Sequence, residues 1–100
     1  MDINLNRDGD VLTIALVGRL DTNTALELDK VLADNLPNTK ELIFDFAKLD
    51  YLSSAGLRIM LTTHKTMVKA GKMVIKHVNE LIMETFDMTG FSSILNIEEE

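Results

Sequence analysis

Residues 41–78 carry three signals in a row that leave few folds open to this chain. Glu41–Phe46 (ELIFDF) is a strand-like run of β-branched and aromatic residues. From about Ser54 to Ala70 the pattern is helical. Leu57, Met60, Leu61, His64 and Val68 recur at ~100° per residue, and Gly71 closes the segment. Met73–Val78 is again strand-like. A strand, a helix and a strand of these lengths make a βαβ unit, with parallel strands and a right-handed crossover. That topology puts the C-terminal ends of both strands at one edge, together with the start of the helix. Asp45, Asp50, Ser53, Ser54 and His77 are expected near that edge, where open α/β sheets receive ligands and partners.

The flanking segments extend the same pattern. Ile3 and Leu5 alternate with Asn4 and Asn6. Arg7-Asp8-Gly9-Asp10 is a turn in which Gly9 can take positive φ, and Val11–Val17 follows as a largely buried strand, so the two runs read as a hairpin. Thr24-Ala25-Leu26-Glu27 fits a capping box, with Asp21 and Thr22 in the loop before it. Ala25, Leu28, Leu32 and Leu36 form a helical stripe that Pro37 stops. Ala47–Ser53 reads as the loop leaving the third strand. Asn79 caps a helix from Glu80 to about Met88, ended by Gly90, and Ser93–Ile97 reads as a short last strand before an acidic tail. With 100 residues the chain is expected to form a single α/β domain over residues 1–100 with four to five strands.

Charge and composition narrow the function. The net charge of −6 argues against a phosphate-backbone or anionic membrane partner. The absence of cysteine excludes disulfides and thiolate chemistry. No apolar run approaches the ~20 residues of a membrane helix. The start MDINLNRDGD lacks the basic and apolar segments of a signal peptide, so the expected location is cytoplasmic. No metal or cofactor site is expected. The two histidines lie far apart in sequence, and Ala70-Gly71-Lys72 has no glycine five residues before Gly71 to form a phosphate loop.

The adjacent hydroxyls of Tyr51-Leu52-Ser53-Ser54-Ala55-Gly56-Leu57 admit three readings. Ser53 or Ser54 caps the following helix, accepting from an otherwise orphan N–H. Alternatively Ser54 is a nucleophile, with His77 as base and Asp45 or Asp50 as its orienter. That reading is weak, because the G-x-S-x-G elbow has Leu52 at its first position, and His64 lies ten residues, roughly 15 Å, along the same helix. The third reading is modification. A phosphoryl group brings about 1.5–2 negative charges, which a helix N-terminus tolerates and a docking partner need not. A phospho-aspartate receiver with Asp45 as acceptor is disfavoured, because the chain is short for that fold and lacks an acidic pair after its first strands.

FDFAKLDYLSSAGLRIML, the loop Gly18-Arg19-Leu20-Asp21 and the ending MTGFSSILNI together resemble STAS domains of the stand-alone anti-sigma factor antagonist family, in order and spacing across nearly the whole chain. The resemblance implies a mixed β-sheet with helices packed mainly on one side. It also implies that the protein is no enzyme and holds no cofactor of its own. It would act by partner switching, binding an anti-sigma factor that is also a serine kinase until phosphorylation releases it. A metal-dependent Ser/Thr phosphatase would reset it, and ATP and Mg²⁺ would belong to the kinase. Aligned on Gly56-Leu57, the phosphoacceptor is Ser54, with Ser53 less favoured, since Ser53 stands where the family commonly has Asp. Asp21 matches the family's kinase-binding loop aspartate. The partner-contact set is then Asp21, Thr22, Leu52, Ser53, Ser54, Ala55, Arg58 and Ile59, with Ile59 on a helix face that also carries Thr62, Thr63 and Thr66. The alternative is a STAS scaffold serving a secretion or stress complex without sigma-factor control.

Overall fold

The computed structural model describes residues 1–98. Its elements run β1 (Asp2–Asp8), β2 (Val11–Leu20), α1 (Thr22–Asn35), β3 (Glu41–Leu52), α2 (Ser54–Ala70), β4 (Lys72–Lys76), α3 (Glu80–Thr89), a 3-10 turn (Phe91–Ser93) and β5 (Ile97–Glu98). The five strands form one sheet in sequence order. β1 and β2 pair antiparallel as a hairpin, with Gly9 at φ 64°, and every later pairing is parallel. This is the mixed sheet expected from the sequence.

One sheet face carries the core. Leu12, Ile14 and Leu16 of β2 and Leu42, Phe44 and Phe46 of β3 alternate inward. They join Leu28 and Leu32 of α1, Met60 and Met67 of α2, and Ile82 and Phe86 of α3 in a single buried cluster. All three helices therefore cover the same face. Each runs back from the C-terminal end of a parallel strand, which is how β2, β3 and β4 come to be followed by helix starts on one side of the molecule.

Several element limits differ from the sequence expectation, each for a visible reason. β3 does not end at Phe46. It continues to Leu52 by pairing with the second half of β2, through Val17↔Lys48, Gly18↔Leu49, Arg19↔Tyr51 and Leu20↔Leu52. Irregularities in the register on either side of Val17–Gly18 break the simple alternation, so this half-strand looks like a loop in sequence. α1 begins one turn earlier than Thr24. Asp21 is the N-cap and accepts from the backbone N–H groups of Asn23 and Thr24, at 3.1 and 3.0 Å. Thr24 occupies the third helical position, where its hydroxyl accepts from Asp21 N. α2 presents Gly56, Leu57, Met60, Thr63 and Met67 to the core. Val68, expected inside, is 61% exposed, and Thr63, expected outside, is 4% exposed. β4 stops at Lys76 because His77 turns left-handed, with φ 61°. The segment expected as a last strand from Ser93 is instead the 3-10 turn, followed by the two residues of β5. Of the acidic tail, Glu98 pairs with Lys76, and the last two glutamates lie outside the described residues.

Candidate functional site

Strand register brings the two loop motifs together. Leu20 and Leu52 are paired neighbours, and each is followed at once by a helix N-cap, Asp21 for α1 and Ser53 for α2. The Ser53 N–H donates to Leu20 O at 2.9 Å and closes the seam. One residue earlier, the Arg19 guanidinium lies 4.3 Å from the centre of the Tyr51 ring, a cation–π contact beside both helix starts. The Asp21 carboxylate is held below its ordinary pKa, chiefly by the backbone N–H of Thr24. It is therefore a charged cap at neutral pH.

The two serines have different roles. Ser53 sits in extended conformation, half-buried, and its Oγ accepts from Gly56 N at 3.3 Å, so the capping reading belongs to it. Ser54 is the first helical residue. It is exposed, and its hydroxyl makes no hydrogen bond among the described residues. A free hydroxyl at a helix start, beside N–H groups that lack intrahelical partners, is open to an incoming phosphate donor.

The hydrolase reading fails on distance. Asp45 Oδ1 and His77 Nδ1 do meet, at 2.8 Å. The pair sits level with the end of β4, however, while β3 runs seven residues further to Leu52. At about 3.3 Å per residue this places Ser54 roughly 20 Å or more from them. Asp45 is a structural anchor. Burial pushes its pKa up, but the Ala47 N–H at 3.0 Å and His77 outweigh burial and leave it lowered. Beyond β4, Asn79 serves two elements, accepting from Ile82 N at 2.8 Å as the α3 cap and donating to Leu49 O at 3.0 Å. Asp50 is exposed on the second half of β3. Among the described residues no three histidine or carboxylate groups converge as metal ligands.

Between α1 and α2 runs an open groove of about 440 Å³, just behind the paired helix starts. Thr22, Leu26 and Asp29 of α1 face Arg58, Ile59 and Thr62 of α2 across it. Thr22, Ala55, Arg58 and Ile59, all candidates from sequence, line this groove; Ala55 and Ile59 are half-buried against the core, and Arg58 is exposed. Leu52 does not belong with them. It is 6% exposed, and its Cδ1 fills the space beside Gly56, so its side chain presents no surface to a partner. Leu26 was missed by sequence reasoning. It is 72% exposed in the groove, and its only signal was a large apolar residue one position off the stripe of Ala25, Leu28 and Leu32.

A sheet backed by helices on one face, with an open groove beside two adjoining helix starts, defines a small one-sided α/β module. The chain belongs to the STAS domain family, whose model matches residues 2–100. It is 29% identical over 92 residues to an anti-sigma-B factor antagonist of Staphylococcus epidermidis, covering 90% of this chain and 85% of the relative. Its fold is similar to that of an anti-sigma factor antagonist from Mycobacterium paratuberculosis, with a TM-score of 0.89 at 17% identity, covering 99% of this chain and 86% of that one. It is also similar to the Bacillus cell fate determinant SpoIIAA in its phosphorylated form, with a TM-score of 0.76 at 16% identity, covering 99% and 93%. No helix of the described residues is long and apolar enough to cross a membrane.

Proposed function

We propose that this chain is a bacterial anti-sigma factor antagonist that works by partner switching in the cytoplasm, with Ser54 as the switch. The observation that carries the proposal is the split between the serines. Ser53 is committed to capping α2, and Ser54 is exposed with its hydroxyl free at the mouth of the groove's two helices. The unmodified protein docks an anti-sigma factor with serine kinase activity along the α1–α2 groove, using Asp21, Thr22, Ser53, Ser54, Ala55, Arg58 and Ile59. Leu26 adds the largest exposed apolar side chain of that surface.

Phosphorylation forms a bond between Ser54 Oγ and the γ-phosphorus of ATP, with ADP as leaving group and the hydroxyl proton taken up by the kinase. The fold has no need to open, because the new charge stands at the positive end of α2. Affinity falls because that charge must be desolvated and opposed in the complex. A metal-dependent phosphatase restores the hydroxyl. The domain itself is a binding module and a substrate, with no catalytic role.

The test is mass-mapping after incubation with the cognate kinase and ATP. A single phosphoryl group on the peptide carrying Ser54, lost in Ser54→Ala and kept in Ser53→Ala, is the expected result. Modification of Ser53 alone, or none under any condition, overturns the assignment. The latter would leave a STAS scaffold without a kinase as the better reading.

A further inference from the structure

The neighbourhood of Ser54 contains a second component of the switch. Arg58 lies four residues after Ser54 on α2, one turn along the same face. In this structure Arg58 lines the α1–α2 groove; because helical side chains lean toward the N-terminus, a change of rotamer carries its guanidinium back over the turn that begins with Ser54. An acid placed N-terminal to a base at this spacing is the favourable order. Arg58 is exposed and makes no hydrogen bond or ion pair among the described residues, although Asp29 stands across the groove from it. The cap beside Ser54 is the neutral Ser53, so no carboxylate at that position competes for the guanidinium.

We propose that Arg58 is a phosphate clamp: once Ser54 is phosphorylated, the guanidinium turns from the α1–α2 groove onto the phosphoryl oxygens. The inference rests on Ser54 being the modified residue and adds a consequence for the groove. Before modification Arg58 is a free cation on the docking surface, available to a partner carboxylate. After modification the dianion, a stronger acceptor than the Asp29 carboxylate, holds it in a bidentate pair. Phosphorylation therefore adds an anion and withdraws a cation from the same interface. Lys65, two turns further along α2, lies too far from Ser54 to act in the same way.

The clamp is testable without any kinase or partner. Phosphoserine is incorporated at position 54 during synthesis of the full chain, in the wild-type, Arg58→Gln and Lys65→Gln backgrounds, and the phosphate is titrated by ³¹P NMR at low salt. The unphosphorylated forms of all three should unfold at the same temperature, since both substituted positions are exposed. The second phosphate pKa, near 6 in free phosphoserine, should be lower in wild type and Lys65→Gln than in Arg58→Gln by about 0.4 unit or more. The Arg58 Nε–H resonance of wild type should move on phosphorylation. Identical titrations in wild type and Arg58→Gln, with an unmoved Arg58 signal, overturn the clamp. That outcome would leave the assignment of Ser54 as phosphoacceptor intact, because the kinase mass-mapping decides that assignment separately.

Discussion

Gly56→Ala is the most informative single change to the frame that holds the switch. Two terms oppose each other. Alanine in place of a helical glycine favours the helix by about 1 kcal/mol. Against this, a Cβ at position 56 would stand 2.6 Å from Leu52 Cδ1, 2.9 Å from Leu20 Cγ and 3.0 Å from Leu20 Cδ2. Leu20 is fully buried and Leu52 nearly so, which leaves neither side chain room to swing away. Overpacking of this kind costs about 1–3 kcal/mol, so the expected net loss is about 1 kcal/mol. For a domain of this size that lowers Tm by roughly 4–8 °C. The assay is reversible thermal or urea unfolding of the full chain. Because relief requires the first turn of α2 to lift from the sheet, phosphorylation of Ser54 by the kinase should slow as well. A variant more stable than wild type by the full helix-propensity gain of about 1 kcal/mol would refute the close approach of α2 to the ends of β2 and β3.

Other outcomes follow from the same contacts. Arg7→Ala removes a guanidinium that donates to Asn35 O at 2.6 Å and to Thr39 Oγ1 at 2.7 Å, tying β1 to the end of α1. Urea unfolding should show a loss of about 2 kcal/mol without a change in partner affinity. Asn79→Ala removes both the α3 cap and the bond to Leu49 O, and should cost about 1–2 kcal/mol in the same assay. Asp45 has a lowered pKa in the fold, so its contribution to stability is full above the unfolded carboxylate pKa and is lost as pH falls through the folded value. Asp45→Asn should accordingly flatten the acid limb of a stability–pH curve below about pH 4, measured as urea midpoints, and a limb of unchanged slope would count against the Asp45–His77 anchor. Leu26→Lys should leave Tm within error and weaken binding of the anti-sigma factor about tenfold, by calorimetry.

The alternation of strands and helices, the hairpin at Gly9 and the Asn79 and Gly90 boundaries of α3 were legible in sequence because each rests on local chemistry. The remaining features depend on partners distant in the chain. Ala47–Leu52 contains Lys48 and Asp50 and alternates poorly, yet it is strand because β2 is long enough to pair with it. The α2 stripe could be drawn through Leu61 and Val68 or through Thr63 and Met67, positions only one or two residues apart, and only the sheet beneath chooses. Thr24-x-x-Glu27 imitated a helix start, whereas Asp21 reaches the free N–H groups a turn earlier. For the site, the motif around Ser54 was visible and the groove was not, since Leu26, Asp29 and Arg58 meet only when α1 and α2 lie side by side. The division of labour between Ser53 and Ser54 likewise required the hydrogen bond to Gly56.

The central claim is that a phosphoryl group on Ser54 sets affinity for the anti-sigma factor. Calorimetric titration of that partner with unmodified protein and with protein carrying phosphoserine at 54 measures it directly. At least tenfold weaker binding of the phosphorylated form, about 1.4 kcal/mol, is the predicted result, and equal affinities would contradict the account.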